Sequence, residues 1–141
     1  MKQKETLKAG CILVNLETKK IGMIYRRKQN DYEFPKGHWE IDETIKECAI
    51  RETAEETKRD VEILQQFKPY ALTYRNKSKE RCKCYYFLAI DKKHSDNTSM
   101  DTHELVWVDI HKVESTLTHD STKKLWRYFL PKVMNYLWNL K

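Results

Sequence analysis

The sequence has few of the residues that interrupt helices and strands or that cross-link a chain. Its 141 residues include three glycines and three prolines, and its four cysteines form no set at zinc-ligand spacing. No apolar run approaches the roughly 18 residues that a membrane span needs, and the N-terminus lacks the apolar core of a signal peptide. We therefore expect reduced thiols, a cytoplasmic location and no contact with a membrane.

The composition is that of a charged, globular protein. Hydrophobic residues make up 40% of the sequence, and 34% of residues are charged. A chain of this length is expected to form a single domain over residues 1–141. The net charge of +6 favours an anionic partner such as a nucleotide, a polyphosphate or RNA, although a lysine-rich surface also serves solubility alone.

The hydrophobic pattern predicts an α/β fold with a mixed sheet covered by helices on both faces. The predicted strands span 9–15, 21–25, 61–67, 70–74, 84–90 and 105–108, and 84–90 is apolar enough to be central. Residues 32–34 are expected to be extended, 91–102 to form a polar loop, and 111–117 and 121–140 to be helical. Pro131 should kink or break the last helix.

A third helix, which follows a glycine-containing turn, concentrates carboxylates in this basic chain. Thr44 and Glu47 fit a capping box at its start. At 100° per residue, Glu52, Glu55 and Glu56 fall on one face, the face that also carries apolar side chains. Carboxylates on such a stripe repel one another and are costly to bury without a cation.

Two interpretations of this cluster remain open. The glutamates could lie on a solvated helix face and pair with neighbouring lysines and arginines. Alternatively, they could bind a divalent metal, and oxygen-only ligands favour Mg²⁺, Mn²⁺ or Ca²⁺ over zinc. Mg²⁺ held by a few carboxylates and completed by substrate phosphates is the usual arrangement in phosphoryl chemistry.

The spacing of these residues resembles the Nudix box, G-x5-E-x7-R-E-U-x-E-E-x-G-U, where U is aliphatic. The charged elements and the first glycine match at Gly37, Glu43, Arg51, Glu52, Glu55 and Glu56. The order of predicted elements is also similar to the Nudix α/β/α sandwich. At the end of the pattern, Lys58 replaces the closing glycine and Arg59 replaces an aliphatic residue. We expect a local change at the helix exit, where the glycine normally forms a left-handed cap.

The resemblance implies hydrolysis of a nucleoside diphosphate linked to another group, with Mg²⁺ or Mn²⁺ as cofactor. Glu52 and Glu56 would be metal ligands, and Glu55 a ligand or the base that activates water. The backbone carbonyl of Gly37 would join the metal shell. Arg51 would orient the carboxylates by pairing with Glu43.

Flanking residues are similar to those of diadenosine tetraphosphate hydrolases within this family, in FPKGH (34–38), YYFLA (85–89) and HELVWV (103–108). On that resemblance, Lys36 and His38 would contact phosphates. Tyr86 or Tyr74 could stack on a base. Glu104 could supply a further catalytic or metal-binding carboxylate.

Several alternatives follow for function. Within the enzyme class these are an RNA 5′-pyrophosphohydrolase, an ADP-ribose pyrophosphatase and a nucleotide-pool sanitising hydrolase. A non-catalytic nucleotide-sensing domain is the alternative from another class. Basic residues in 75–83 could form a solvated loop or contact polyphosphate or RNA. The oligomeric state, monomer or homodimer, stays open.

Overall fold

The computed structural model describes residues 5–140. The termini of the predicted 1–141 domain, residues 1–4 and 141, lie outside that range. The strands are β1 (Glu5–Val14), β2 (Lys20–Arg26), β3 (Asp31–Glu33), β4 (Lys36–His38), β5 (Arg59–Ile63), β6 (Tyr70–Arg75), β7 (Arg81–His94) and β8 (Glu104–Asp109). The helices are α1 (Ile45–Thr57), α2 (Val113–Thr116) and α3 (Asp120–Trp138), with a 3₁₀ turn at Ile110–Lys112.

The strands form one mixed sheet around a long parallel pair, β1 and β7. The first half of β1 pairs with β4 and its end pairs with β2, both antiparallel. Strand β7 likewise pairs with β6 near its start and with β5 near its end. The central position predicted for 84–90 is therefore confirmed, and so is the mixed sheet.

Buried side chains lie on both faces of this sheet, as the sandwich requires. One face packs against α3 through Trp126, Phe129 and neighbouring core residues. The other packs against α1, where Cys48 and Ala49 contact the β1 and β7 side chains. The α/β/α arrangement is confirmed, and all four cysteines are free and buried.

The structure corrects several boundaries. Strand β7 continues to His94 through part of the predicted polar loop, because antiparallel pairing with β5 satisfies its backbone. Residues 36–38 form a short strand on β1 rather than a turn. Strand β5 ends at Ile63, earlier than predicted. Helix α3 runs through Pro131 without a break, so of the predicted kink or break the break is wrong, and tertiary packing holds the turn around the proline.

The ends of α1 show how local sequence positions the carboxylates. Thr44 accepts from the Glu47 N–H, and the Glu47 side chain accepts from the Thr44 N–H, which confirms the capping box. At the other end, Lys58 adopts the left-handed cap itself, with φ 59°. The expected change at the helix exit is therefore wrong, because lysine takes the backbone conformation that glycine would take. None of the described helices has the length and apolar character to cross a membrane.

Candidate functional site

A cavity of about 490 Å³ lies between β4, α1 and the segment that precedes β8. We call it the glutamate cavity, because Glu52 and Glu56 both line it. Gly37 and His38 line it from β4, and residues 100–103 line the side that faces α1. Residues far apart in the sequence thus meet at the C-terminal half of α1.

Glu56 and Glu52 are the α1 carboxylates that line the glutamate cavity, and their side chains are similarly buried, with 14% and 13% exposed. The Oε1 of Glu56 accepts a hydrogen bond of 2.8 Å from the Lys36 backbone N–H, and its Oε2 lies 3.8 Å from Nε2 of His103. Burial raises the pKa of Glu56 to about 8, against an ordinary value of 4.5. Burial also lowers the pKa of His103, which weakens that residue as a counter-charge. A divalent cation in the cavity would favour the ionised Glu56.

Glu52 occupies the space that the missing side chain of Gly37 leaves free. A Cβ built on Gly37 would lie 1.8 Å from Oε2 of Glu52, so no larger residue fits without moving the carboxylate. Burial raises the pKa of Glu52, and the adjacent Arg51 guanidinium opposes this rise. The sequence signal for this contact was the glycine fifteen positions before the glutamate.

Arg51 connects the carboxylates of the predicted site. Its Nε and Nη2 donate to the two carboxylate oxygens of Glu43 at 2.9 and 2.8 Å, so the predicted pairing is present. Its Nη2 also donates to the backbone carbonyl of His38, and its Nη1 donates to Glu52 at 2.7 Å. The hydrogen bonds from Arg51 lower the pKa of Glu43 to about 2. The arginine guanidinium suits this bridging role, because it is planar and carries five hydrogen-bond donors.

Glu55 is placed differently from its neighbours. Both of its carboxylate oxygens lie 3.3 Å from Nη1 of Arg51, and Glu55 does not line the glutamate cavity. Its role as a ligand or as a base therefore stays a prediction. The structure brings Glu52 and Glu56 together at the cavity and leaves Glu55 on the Arg51 side of the helix.

A second cavity of about 520 Å³ adjoins the first, and we call it the side cavity. The two cavities share Lys8, Arg26, Glu33 and Lys36 as a common wall. Three of these four residues are basic. The predicted phosphate ligand Lys36 therefore lies between the cavities, where its Nζ donates to Glu33 at 3.2 Å.

The two predicted base-stacking tyrosines have different environments. Tyr74 is half-buried, lines the side cavity and accepts a hydrogen bond of 3.0 Å from Nζ of Lys8. Tyr86 has no accessible surface, and its ring packs edge-on against Phe34 in the core. Tyr86 borders the side cavity, but its ring has no surface on which a base could stack, because the alternation of β7 directs it inward; the stacking prediction for Tyr86 is therefore wrong. Its buried hydroxyl has no hydrogen-bond partner.

The other predicted ligands differ in position. His38 lines the glutamate cavity, and its pKa is lowered by burial and by the charges of Lys8 and Lys36. Glu104 is exposed at the first position of β8 and lines neither cavity. Its neighbour His103 faces Glu56 instead. The predicted segment around residues 103 and 104 therefore does reach the glutamate cavity, but the residue that lines the cavity is His103 and not Glu104.

Sequence reasoning missed a charge cluster that includes Glu33 of the common wall. Potential ligand atoms of Asp31, Glu33 and His119 lie within 4.8 Å of one another, the one such three-residue group within residues 5–140. Arg26 already donates two hydrogen bonds to Asp31, at 2.8 and 2.7 Å, and the Arg26 contact lowers the pKa of Asp31 to about 2. The guanidinium supplies the counter-charge, so we assign an ion-pair cluster. Its members lie up to 88 residues apart, which no local pattern reveals.

Comparison with known proteins places this chain in a family. The family profile of the NUDIX domain matches residues 4–129. The chain therefore belongs to the Nudix family, and it is a hydrolase of phosphoric anhydride bonds. Members of this family use divalent metals and act on nucleotide derivatives. No curated protein sequence matches the chain at a significant level.

Solved structures share the fold at low sequence identity. An Ap4A hydrolase from C. elegans, in a binary complex, has a TM-score of 0.77 at 20% identity, over 92% of this chain and 98% of that one. A MutT protein from Methanosarcina mazei has a TM-score of 0.72 at 17% identity, over 94% and 97%. A Nudix-family hydrolase from Clostridium perfringens has a TM-score of 0.69 at 14% identity, over 96% and 97%.

Proposed function

We propose that this Nudix hydrolase cleaves dinucleoside polyphosphates, with diadenosine tetraphosphate as the expected substrate. The observation that carries the proposal is the pair of adjoining cavities with a basic common wall. Such a groove suits a ligand that has a bulky nucleoside at the end of a chain of phosphates. The C. elegans neighbour, an Ap4A hydrolase that shares the fold, supports the same substrate class.

The metal site is proposed at the glutamate cavity, with Mg²⁺ or Mn²⁺. The donor set is all oxygen, which these ions prefer. Glu52 and Glu56 would hold the ion together with the carbonyl of Gly37, and the space left by the glycine side chain accommodates the Glu52 carboxylate. When bound, the ion would neutralise phosphate charge and lower the pKa of a water molecule.

The surrounding residues would position these groups. Arg51 would fix the Glu52 carboxylate through its hydrogen bond, while Glu43 holds the guanidinium from the other side. Glu55 would accept a proton from water or add a ligand, and its 3.3 Å contacts with Arg51 hold it close to the site. We keep Glu104 as a catalytic residue only on the resemblance.

The substrate contacts are proposed along the common wall. Lys36, Lys8 and Arg26 would face the phosphates, and His38 would contact them at the β4 end. Tyr74 would stack on a base in the side cavity. Burial raises the pKa of Tyr74 to about 12, against an ordinary value of 10. The cytoplasmic location, the single domain and the choice between monomer and homodimer stay predictions.

A substrate panel tests the proposal. Purified protein with Mg²⁺ or Mn²⁺ is assayed against diadenosine tetraphosphate, ADP-ribose, an oxidised deoxynucleoside triphosphate and RNA with a 5′-triphosphate. We expect the highest kcat/KM for diadenosine tetraphosphate. Preference for another compound would reassign the enzyme to that alternative, and turnover of none would favour a nucleotide-sensing domain.

A matched pair of tyrosine variants tests the side cavity. Base stacking contributes about 1–3 kcal/mol, so Tyr74→Leu should lower kcat/KM for diadenosine tetraphosphate by about 5- to 100-fold. Tyr25→Leu is the control, because Tyr25 is also a half-buried strand residue but lines neither cavity. Equal effects of the two substitutions would remove Tyr74 from the proposed site.

A further inference from the structure

Lys58 stands where the Nudix pattern has its closing glycine. It adopts φ 59° and ψ 33°, a left-handed conformation that residues with a side chain rarely adopt. Its backbone N–H donates to the Ala54 carbonyl and completes the end of α1. Glycine would form the same cap without strain. The cap itself therefore does not require the lysine side chain.

The Lys58 ammonium group is bound to the segment that follows β7. Its Nζ donates to the backbone carbonyl of Asn97 at 2.9 Å and to that of Ser99 at 2.6 Å. The Ser95 N–H donates to the Lys58 carbonyl at 2.9 Å. Hydrogen bonds from a charged donor are stronger than those between neutral groups. The ammonium also lies at the C-terminus of α1, where the helix dipole favours positive charge.

The segment that Lys58 binds continues directly into the wall of the glutamate cavity. Its residues Met100, Asp101, Thr102 and His103 line that cavity. Two further hydrogen bonds hold it to α1, from the Thr102 hydroxyl to the Glu55 carbonyl at 3.1 Å and from the His103 N–H to the Glu56 carbonyl at 2.9 Å. Lys58 is thus the charged anchor of a segment without helix or strand structure.

We propose that Lys58 is a positioning residue, whose ammonium group holds residues 97–103 against α1 as one wall of the glutamate cavity and thereby sets substrate affinity. The proposal rests on the proposed use of this cavity for substrate. A protein whose binding-competent form is less populated binds its ligand more weakly by the same factor. Loss of the anchor should therefore raise KM. The value of kcat should change little, because bound substrate favours the form in which residues 97–103 lie against α1.

Hydrogen exchange of the substrate-free protein tests the anchor itself. Lys58→Gly removes the ammonium and keeps a residue that accepts the left-handed cap, so the protein should fold. We expect exchange of the amides in 97–103 to accelerate by about tenfold, the factor that corresponds to 1.4 kcal/mol. Lys19→Gly is the matched control, because Lys19 has the same φ of 59° in the turn between β1 and β2. It should leave exchange in 97–103 unchanged.

A second variant separates the ammonium from backbone flexibility. Lys58→Asn also loses the charge, but asparagine tolerates the left-handed region without the freedom of glycine. Faster exchange in both variants supports the proposal. Exchange that is unchanged in both, or faster only in Lys58→Gly, would overturn it.

Kinetics with diadenosine tetraphosphate and Mg²⁺ complete the test. We expect both Lys58 variants to raise KM by about tenfold with kcat within about twofold, and Lys19→Gly to behave as the parent protein. Unchanged KM together with faster exchange would overturn the link to substrate affinity. If the parent protein does not hydrolyse this substrate, the proposed function fails, whereas the exchange result still decides whether Lys58 anchors the segment.

Discussion

Glu56 should make the metal-free protein less stable as the pH rises. Its pKa is about 8 in the fold, against an ordinary value of 4.5, mainly because of burial. The folded protein therefore binds this proton more tightly than the unfolded chain does. Between about pH 4.5 and pH 8, stability falls with rising pH. The difference in pKa corresponds to a loss of at most about 5 kcal/mol in the free energy of unfolding.

The substitution Glu56→Gln isolates this effect, because glutamine retains an oxygen that can accept from the Lys36 N–H but does not ionise. In chelator-treated protein, we expect the free energy of unfolding of Glu56→Gln, relative to the parent, to increase by about 2–5 kcal/mol from pH 5 to pH 9. Urea unfolding at each pH gives this difference. Glu62→Gln, on the exposed part of β5, is the control and should follow the parent.

Added metal should reverse the trend in the parent protein. Mg²⁺ binds the ionised carboxylate, so it should stabilise the parent at pH 8 and have little effect on Glu56→Gln. Parallel pH curves for parent and variant in the absence of metal would refute the reasoning. They would show that Glu56 is not held in the buried environment described here.

Three further substitutions test the site and the groove. Gly37→Ala should displace only the end of the Glu52 side chain. We expect metal affinity, measured by metal titration, to fall by about 10- to 100-fold, and stability, measured by urea unfolding, to change little. Gly10→Ala should instead destabilise the fold, because its Cβ would lie 1.9 Å from the Pro35 carbonyl oxygen. We expect the free energy of unfolding, measured with urea, to fall by about 2–4 kcal/mol. Lys77→Met, in the side cavity, should raise KM for diadenosine tetraphosphate and flatten its dependence on salt; a KM with the parent's salt dependence would exclude phosphate contact.

The local features of the site could be read from the sequence. The capping box is defined by residues three apart, and the helical period alone brings Glu52 and Glu56 to one face. The Arg51–Glu43 pair followed from the spacing of the family motif. Asp42, in the turn before α1, adopts φ 71°, a conformation that aspartate tolerates better than most residues.

The remaining features depend on the tertiary structure. Period-two alternation predicts that one of the two adjacent tyrosines on β7 faces the core, but it does not show which one. For this reason Tyr86 was wrongly predicted to stack on a base. The contact between His103 and Glu56 joins residues 47 positions apart in the sequence, through a segment without periodicity. Pro131 remains within α3 because packing of the helix against the sheet outweighs the local cost.

The most direct measurement is the rate of diadenosine tetraphosphate hydrolysis with and without Mg²⁺, in the parent protein and in Glu52→Gln. We expect turnover by the parent to require the metal and to be restored when Mg²⁺ is returned after chelation. We also expect a loss of at least about a hundredfold in kcat/KM for Glu52→Gln, with the fold intact. Metal-independent turnover, or full activity in Glu52→Gln, would contradict the assignment of the glutamate cavity as the catalytic site.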